Sequence, residues 1–547
     1  MRRPFGVTTL GVEATIAPEE GRPMEKFIAR YAALVSSVLS GFDRLVFRGS
    51  LRALRNRGIY GFLDRAGVRQ LEFGKFAQET TERVKYAALA EATERGRPIV
   101  YLESPRTSKE DLARDLLRQH PLTQPGLICA FKAIEPCMRF EYHRSPDRNE
   151  RGLKLRAGKC LYIYKYYLHP DFGFMHLRLQ TYLPFDVQVC MNGREWLSRQ
   201  LTRHGVSFER ADNCFTRLDT PELAQRLLDE QLRTAWPATL DALMMRIHPL
   251  HEEIFRASPM QYWWVAYQTE WATDLLFRDT ACLGGIYPAL VRHAVDHFKS
   301  PDVLRFLGRV ERQAWKTEVV SSLRERREGV RVKHWLNGNS VKMYDKAGTI
   351  LRIETTIGNP KDFCVLRPRC EDERGQRHDD ATGAQLVWRN MRKSVADLHR
   401  RAQLSQRSNE RYLDALSVVD DTTPCSRIFD SFARPVLDHG RRLRALRVGD
   451  PAELALLAAI SRGEFVTAGF RNRDLRRLLY SPPRTKADDR RRSGRLSRLL
   501  RLLRAHGVIR KINKTHRYQL TARGRLLTAA LRATRDANLK QLLREAA

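Results

Sequence analysis

The chain is 547 residues long, 42% hydrophobic and 9% aromatic, which excludes a disordered protein and, at that length, calls for several cores. Its 97 Lys and Arg against 63 Asp and Glu leave a formal charge of +34, a field that attracts polyanions and releases counterions from a phosphate backbone. Nine scattered cysteines without a Cys-x-x-Cys pair argue against a disulfide framework or zinc knuckle, and no apolar run reaches bilayer length, so a cytoplasmic, nucleoid-associated protein without a membrane partner is expected.

Residues 1–23 lack a core pattern and read as a loose tail. The spacing from Met24 to Ser40 (MEKFIARYAALVSSVLS) predicts a helix, FDRLVFRGSL a short strand, and TSKEDLARDLLRQH a helix capped by Thr107 or Ser108, so that 24–125 form an α/β segment. Residues 126–384 read as an α+β body. Between Leu161 and Met191 a hairpin turns through Pro170 to Gly173, the chain bends at Pro184, and Asn192 caps a helix ending at Gly205 whose Arg194 and Glu195 are expected in solvent. In GFMHLRLQTYLPF the alternation puts Met175, Leu177, Leu179 and Thr181 on one face and His176, Arg178, Gln180 and Tyr182 on the other. In so basic a chain, His176, Arg178 and Gln180 read as a hydrogen-bonding floor for a nucleic-acid backbone.

Helices are expected to dominate from Pro221 to about Arg327, with Trp263, Tyr267 and Trp271 packed along one helical seam. A second hairpin region follows, with turns at Asn337 to Asn339 and Asp345 to Gly348; Leu351, Ile353, Thr355 and Ile357 share one face, Arg352, Glu354 and Thr356 the other. Residues from Glu371 form a polar loop and 385–447 a helical linker.

Two acids carry the chemical reading. Asp43 lies in an apolar strand, where a carboxylate is costly unless paired or metal-bound. With Glu354, and Asp186 as a third candidate, it is expected to hold Mg²⁺ or Mn²⁺ for phosphodiester chemistry. The alternative is simple pairing, Asp43 with Arg44, Arg48 or another Arg and Glu354 across the hairpin with Lys342 or Arg352. Tyr344, Asp345 and Lys346 followed by Arg352 and Glu354 resemble a short segment of some rolling-circle replication initiators. That resemblance implies a tyrosine nucleophile, Tyr344, beside a metal site; the family's His-hydrophobic-His motif is absent, its nearest counterpart being His176-Leu177-Arg178.

A boundary is expected at Gly449-Asp450-Pro451, opening a unit at 448–547 in which SPPRTKADDRRRS, from Ser481, reads as a basic linker. In RLSRLLRLLRAHG, Leu496, Leu499, Leu500 and Leu503 make one apolar stripe and Arg495, Arg498, Arg501 and Arg504 the opposite side. A hairpin with Lys514, Thr515, His516 and Arg517 at its tip follows. Leu503, Gly507, Val508, Ile509, Tyr518, Leu520, Thr521 and Gly524 resemble the pattern of a MarR-like winged helix-turn-helix domain, over this last unit alone. The resemblance implies a long helix docked in the major groove by its N-terminal part, with Arg491, Arg492, Ser493, Arg495 and Arg498 on DNA and the wing on phosphates.

The expected whole is an α+β multi-domain protein: a mixed α/β body with two β-hairpin regions and a helical section, plus a C-terminal winged helix. Two functions stay open. One is a DNA-binding protein whose body engages or processes nucleic acid, of a transposase-like or replication-initiation kind found in mobile elements; as an enzyme it would be metal-dependent and act on phosphodiesters. The other is a non-catalytic transcriptional regulator whose body dimerises or senses a ligand. Double-stranded DNA is the expected partner, with RNA and a second copy of the chain as further candidates.

Overall fold

The computed structural model describes residues 23–51, 54, 57–104, 107–144, 151–247, 262–298, 300–308, 319–326, 329–368, 386–417, 425–438, 440–461, 470–512, 516–521, 523, 524, 527, 528, 530, 531 and 534. The expected tail up to residue 22, the polar loop from Glu371, and Lys514 and Thr515 of the wing tip lie outside the described residues.

The chain is mixed α/β. In chain order the body's strands are β1 (Val35–Leu51), β2 (Ile99–Tyr101), β3 (Gly126–Arg144), β4 (Arg151–His169), β5 (Gly173–Gln180), β6 (Val187–Asn192), the small hairpin β7 (Phe208–Ala211) and β8 (Cys214–Leu218), then β9 (Tyr262–Phe277), β10 (Val320–Arg326), β11 (Gly329–Leu336), β12 (Asn339–Lys346) and β13 (Ile350–Ile357). All but the small hairpin join one sheet of eleven strands, in the order β10-β11-β12-β13-β9-β1-β6-β5-β4-β3-β2. Asn337 and Gly338, both at positive φ, make the tight turn into β12 that an Asn-Gly pair favours.

Two halves of the sheet repeat one plan. In each, a long strand (β1 or β9) precedes a four-stranded antiparallel meander (β3 to β6, or β10 to β13) whose last strand returns to pair with the first. The halves join through β1 and β9, antiparallel over fifteen matched positions from Val35↔Phe277 to Leu51↔Tyr262. Besides Ser36 near the start of β1, each long strand carries one extra residue: Asp43 is passed over between Phe42↔Trp271 and Arg44↔Glu270, and Tyr267 between Val46↔Gln268 and Phe47↔Ala266. Both stand two residues before the Leu45↔Thr269 pair, so the bulges are related by a local two-fold axis there.

One face of the sheet is the core. Phe42, Leu45 and Phe47 of β1, Met175, Leu177 and Leu179 of β5 and Val187, Val189 and Met191 of β6 are buried with Ala88 and Ala92 of the helix Phe73–Glu94 and Trp236, Leu240 and Met244 of the helix Trp236–Ile247. In the other half Leu275, Met343, Leu351 and Ile353 pack on Tyr287, Leu290, Tyr412 and Leu413. The opposite face is covered at its ends, by the helix Lys109–Gln119 over β3 and β4 and by the helices Gly193–Arg203 and Pro221–Gln231 over the start of β1. Between them Arg44, Trp263 and Trp335 are exposed.

Three expectations are corrected here. The helix from Met24 stops at Arg30, and Val35 to Ser40 belong to β1, where pairing with β9 outweighs an apolar spacing that suits either structure. Tyr262–Phe277 is a strand, so Trp263, Tyr267 and Trp271 form no helical seam: Trp271 is buried and Trp263 is 43% exposed. Part of the expected linker, the helix Leu398–Leu416, lies across the core face of the sheet with Tyr412, Leu413 and Leu416 fully buried. The alternation in β5, the Ser108 cap and the Asn192 cap stand as expected.

The last unit has its own core, joining Ile428, Phe432 and Leu446 to the helices Pro451–Ile460, Asn472–Leu479 and Lys486–Ala505 and to a hairpin, β18 (Ile509–Lys511) with β19 (Tyr518–Leu520), numbered after the pairs β14 (Cys364–Pro368) with β15 (Leu386–Asn390) and β16 (Val436–Asp438) with β17 (Arg441–Leu443). Most of the segment read as a basic linker is helix: Thr485 caps Lys486–Ala505 by accepting from the Asp488 amide.

Candidate active site

Asp43 reaches the polar face because of its bulge. In a regular strand adjacent side chains point to opposite faces; the extra residue in β1 lets Asp43 and Arg44 both line the same cleft, of about 760 Å³. Glu270 of β9 and Glu354 of β13 share it, and the oxygens of the three carboxylates lie within 4.8 Å of one another. Glu354 sits opposite Lys342 and Ala272 in the ladder, which places it one strand beyond Glu270.

Each acid is held differently. Asp43 accepts two hydrogen bonds from the Asn213 amide, at 2.9 and 2.8 Å, from the turn between β7 and β8, and lies 3.2 Å from the Arg352 guanidinium. Burial pushes its carboxyl up, and Arg352 pulls against that. Glu354 accepts from Lys342 Nζ and Tyr344 Oη, both at 2.5 Å. Although burial pushes it up, Lys342, Tyr344 and Arg352 together hold it down to about 2. Among the described residues Glu270 pairs with Lys342, at 3.6 Å, and accepts an amide hydrogen from Gln268 at 3.3 Å. Burial and then the Glu354 charge push it up to about 7, so its proton is exchangeable near neutrality.

Below the acids is a second layer. Arg352, fully buried, donates to both oxygens of Asp274, at 2.5 and 2.8 Å, and Arg194 donates to Asp274 at 3.0 Å and to the Ala272 carbonyl at 3.2 Å. Arg194, expected in solvent, is fully buried, because the helix it opens packs on β1 and carries it inward. Lys346 joins Asp212 and Asn213, tying β12 to the capping turn. Arg352 Nη1 points at Asp43 without a hydrogen bond.

The expected pair Asp43 and Glu354 therefore converges, together with Tyr344, and Glu270 completes the set; Asp186 is not part of it. Three carboxylates from three strands offer the hard oxygen ligands that Mg²⁺ or Mn²⁺ takes. The pairings Glu354–Lys342 and Asp43–Arg352, the alternative expected from sequence, are present as well. Burial and the Glu354 charge push the Tyr344 phenol well up, so it stands as a hydrogen-bond donor.

The row of β5 is less open than expected. His176 lines the cleft, but burial lowers it to about 3, leaving it uncharged. Arg178 donates to Glu135 at 2.6 and 3.1 Å and stacks on Tyr162. Gln180 is buried, bonded to Tyr162 Oη and the Met138 carbonyl. His176 alone of the three lines the cleft, and the row offers no free cationic floor there.

In the last unit Leu496, Leu500 and Leu503 are buried, while Arg491, Arg495 and Arg498 are exposed. Arg491 and Arg492 are paired with Asp488, and Ser493 is bonded to Asn472 of the neighbouring helix. Arg495 and Arg498 have no acid partner among the described residues. His516 is exposed and Arg517 half-buried beside the hairpin. Comparisons with protein-family models, curated proteins and solved structures find no match for this chain, which leaves its own geometry to carry the reading.

Proposed function

We propose that this chain is a DNA-acting protein that processes phosphodiesters at the Asp43–Glu270–Glu354 cluster and grips duplex DNA with a C-terminal winged helix. The observation that carries the reading is the convergence of three carboxylates from three strands in a cleft of a chain whose net charge is +34. Mg²⁺ or Mn²⁺ bound there would stabilise the charge that develops on a phosphoryl group in transfer. Around it Arg44, exposed at the rim, is placed to meet a phosphate, Lys342 to stay with Glu354 or turn to a substrate oxygen, and Asn213 with Arg352 to fix Asp43.

The winged-helix part is supported by three helices followed by a hairpin and by the Phe470↔Tyr518 bridge, which adds a third extended segment. It is also supported by the motif's physics. Gly507, at φ +69°, ends the long helix; the Thr521 hydroxyl donates to the Gly507 carbonyl at 2.6 Å; and a Cβ on Gly524 would meet the Val508 carbonyl at 2.1 Å. No helix among the described residues is long and apolar enough to cross a membrane; a nucleoid-associated cytoplasmic location, RNA and a second copy of the chain as further partners, and a mobile-element origin belong to the same proposal.

A second reading rests on a specific observation: Asp43 and Glu354 already have cationic partners in Arg352 and Lys342, as in a self-neutralised structural network. In that case the protein is a DNA-binding regulator. Incubation with labelled single- and double-stranded DNA and Mg²⁺ or Mn²⁺ separates the two. Metal-dependent cleavage or joining lost in Asp43→Asn and Glu354→Gln supports processing; none on any DNA form leaves the regulator.

A further inference from the structure

The two halves of the sheet put different side chains into one frame. Matching the bulge at Asp43 to the bulge at Tyr267 brings the neighbouring rows into register. The row Lys342–Glu354–Ala272 across β12, β13 and β9 then corresponds to Arg178–Gln188–Arg48 across β5, β6 and β1. Where the acidic site has Asp43 and Glu354, its counterpart across the local two-fold axis has Tyr267 and Gln188; where the acidic site has Ala272, the counterpart has Arg48. The counterpart site keeps the pairing geometry without the carboxylates.

Cations take their place. The Arg48 guanidinium carbon lies 3.6 Å from the Tyr267 ring centroid and Lys393 Nζ 5.0 Å from it. Neither has an acid partner among the described residues; Arg48 Nε is 3.4 Å from the Gln188 amide oxygen. Arg178 is committed to Glu135, and Asp186 stands one row further along β6's approach. Two unneutralised cations on one half-buried ring repel each other, and an anion between them relieves that. Trp263, 43% exposed, shares this face, since it pairs with Ser50 two positions from Arg48.

We propose that Arg48, Lys393 and Tyr267 form a second subsite that holds a phosphate and stacks a base of a single-stranded nucleic acid whose next phosphates reach the acidic cluster. The step between the bulges is about four residues along β1, roughly 13 Å at strand rise. A single strand fits because its bases have free faces for Tyr267 and Trp263, which a duplex hides. The proposal rests on the reading of the body as nucleic-acid-processing.

The test is anisotropy of labelled oligo(dT) with the full chain in EDTA, in an Arg495→Ala, Arg498→Ala background that weakens the terminal unit. Arg48→Gln with Lys393→Gln should reduce affinity at least about tenfold and flatten the log K against log salt slope by about 1.4, from about 0.7 for each phosphate contact on a single strand. Tyr267→Ala should cost about 5- to 150-fold, the range for a lost base stack, and Tyr267→Phe almost nothing. Unchanged affinity and slope in the double variant, with an unaltered circular dichroism melt, overturns the subsite, and equal losses on a duplex of the same length overturn its single-strand character. Because no metal is present, failure here leaves metal-dependent cleavage untouched, and absent cleavage leaves this binding readable.

Discussion

Arg44 and Glu270 stand directly opposite each other on β1 and β9, yet they do not pair: the guanidinium donates its Nε hydrogen to Cys190 Sγ at 3.3 Å, and the carboxylate is left with Lys342 at 3.6 Å. Glu270 is thus the acid of the cluster with the least compensation. Its carboxyl is raised from 4.5 to about 7, so the stability it contributes is fully present below pH 4.5 and is lost as pH rises through about 7. Glu270→Gln should remove that loss, gaining on the order of 1–3 kcal/mol at pH 8 and nothing at pH 4.5. Urea denaturation of both proteins across that window checks it; parallel pH profiles would remove Glu270 as the titrating group.

Arg352 carries the largest structural burden of the site. Fully buried, it joins Asp274 on one side and Asp43 on the other, and its loss leaves two buried carboxylates short of a cation. Arg352→Met should cost about 3–5 kcal/mol, the range for breaking a buried ion pair. Arg194→Met should cost less, since Asp274 keeps both bonds to Arg352. Equal, small losses in the two variants would show that the guanidinium is dispensable to the fold.

Part of this site was legible from the residues alone, because an acid inside an apolar strand is expensive and draws attention wherever the strand is read correctly. Asp43 and Glu354 met that condition. Glu270 and Asp274 gave the same signal, but inside a segment whose aromatics recur at 263, 267 and 271, a four-residue spacing that is a helical seam and also an even, single-face strand pattern. Arg194 was hidden for another reason: the first turn of a helix usually faces water, and only the packing of that helix on β1 turns it inward. The repeated plan of the sheet leaves no trace in side-chain identity, since the halves share the bulges at Asp43 and Tyr267 and their pairing registers while their polar residues differ. Thr485 and the acids after it carried a capping signal that the surrounding arginines masked as linker.

Gly193 links the helix Gly193–Arg203 to the acidic bulge. A Cβ at this position would meet the Phe42 carbonyl oxygen at 1.8 Å, one residue before Asp43. Gly193→Ala must therefore push the helix or the bulge aside, and backbone on backbone leaves nothing flexible to yield. The expected result is a loss of at least about 2 kcal/mol together with loss of any Mn²⁺ binding seen by electron paramagnetic resonance in the parent. A variant with parental stability and metal affinity would mean the bulge has slack that the close contact does not reveal.

The long helix of the last unit separates two kinds of arginine. Arg491 is paired with Asp488 at 3.0 Å, whereas Arg495 and Arg498 lie exposed on the side opposite the buried Leu496, Leu500 and Leu503 and have no acid partner among the described residues. A phosphate contact from a paired arginine must first give up its carboxylate, so its net contribution is smaller. Arg495→Ala with Arg498→Ala should therefore lower duplex affinity at every sequence tested and reduce the log K against log salt slope by about 1.8, from about 0.9 for each contact to B-form DNA. Arg491→Ala should move the slope by less than half of that. The readout is duplex anisotropy from low to moderate salt, with thermal melts as the control for folding. If the double variant keeps the parental slope, the helix is not the surface that meets DNA, and the positive charge of the chain must be spent elsewhere, on the open face of the sheet.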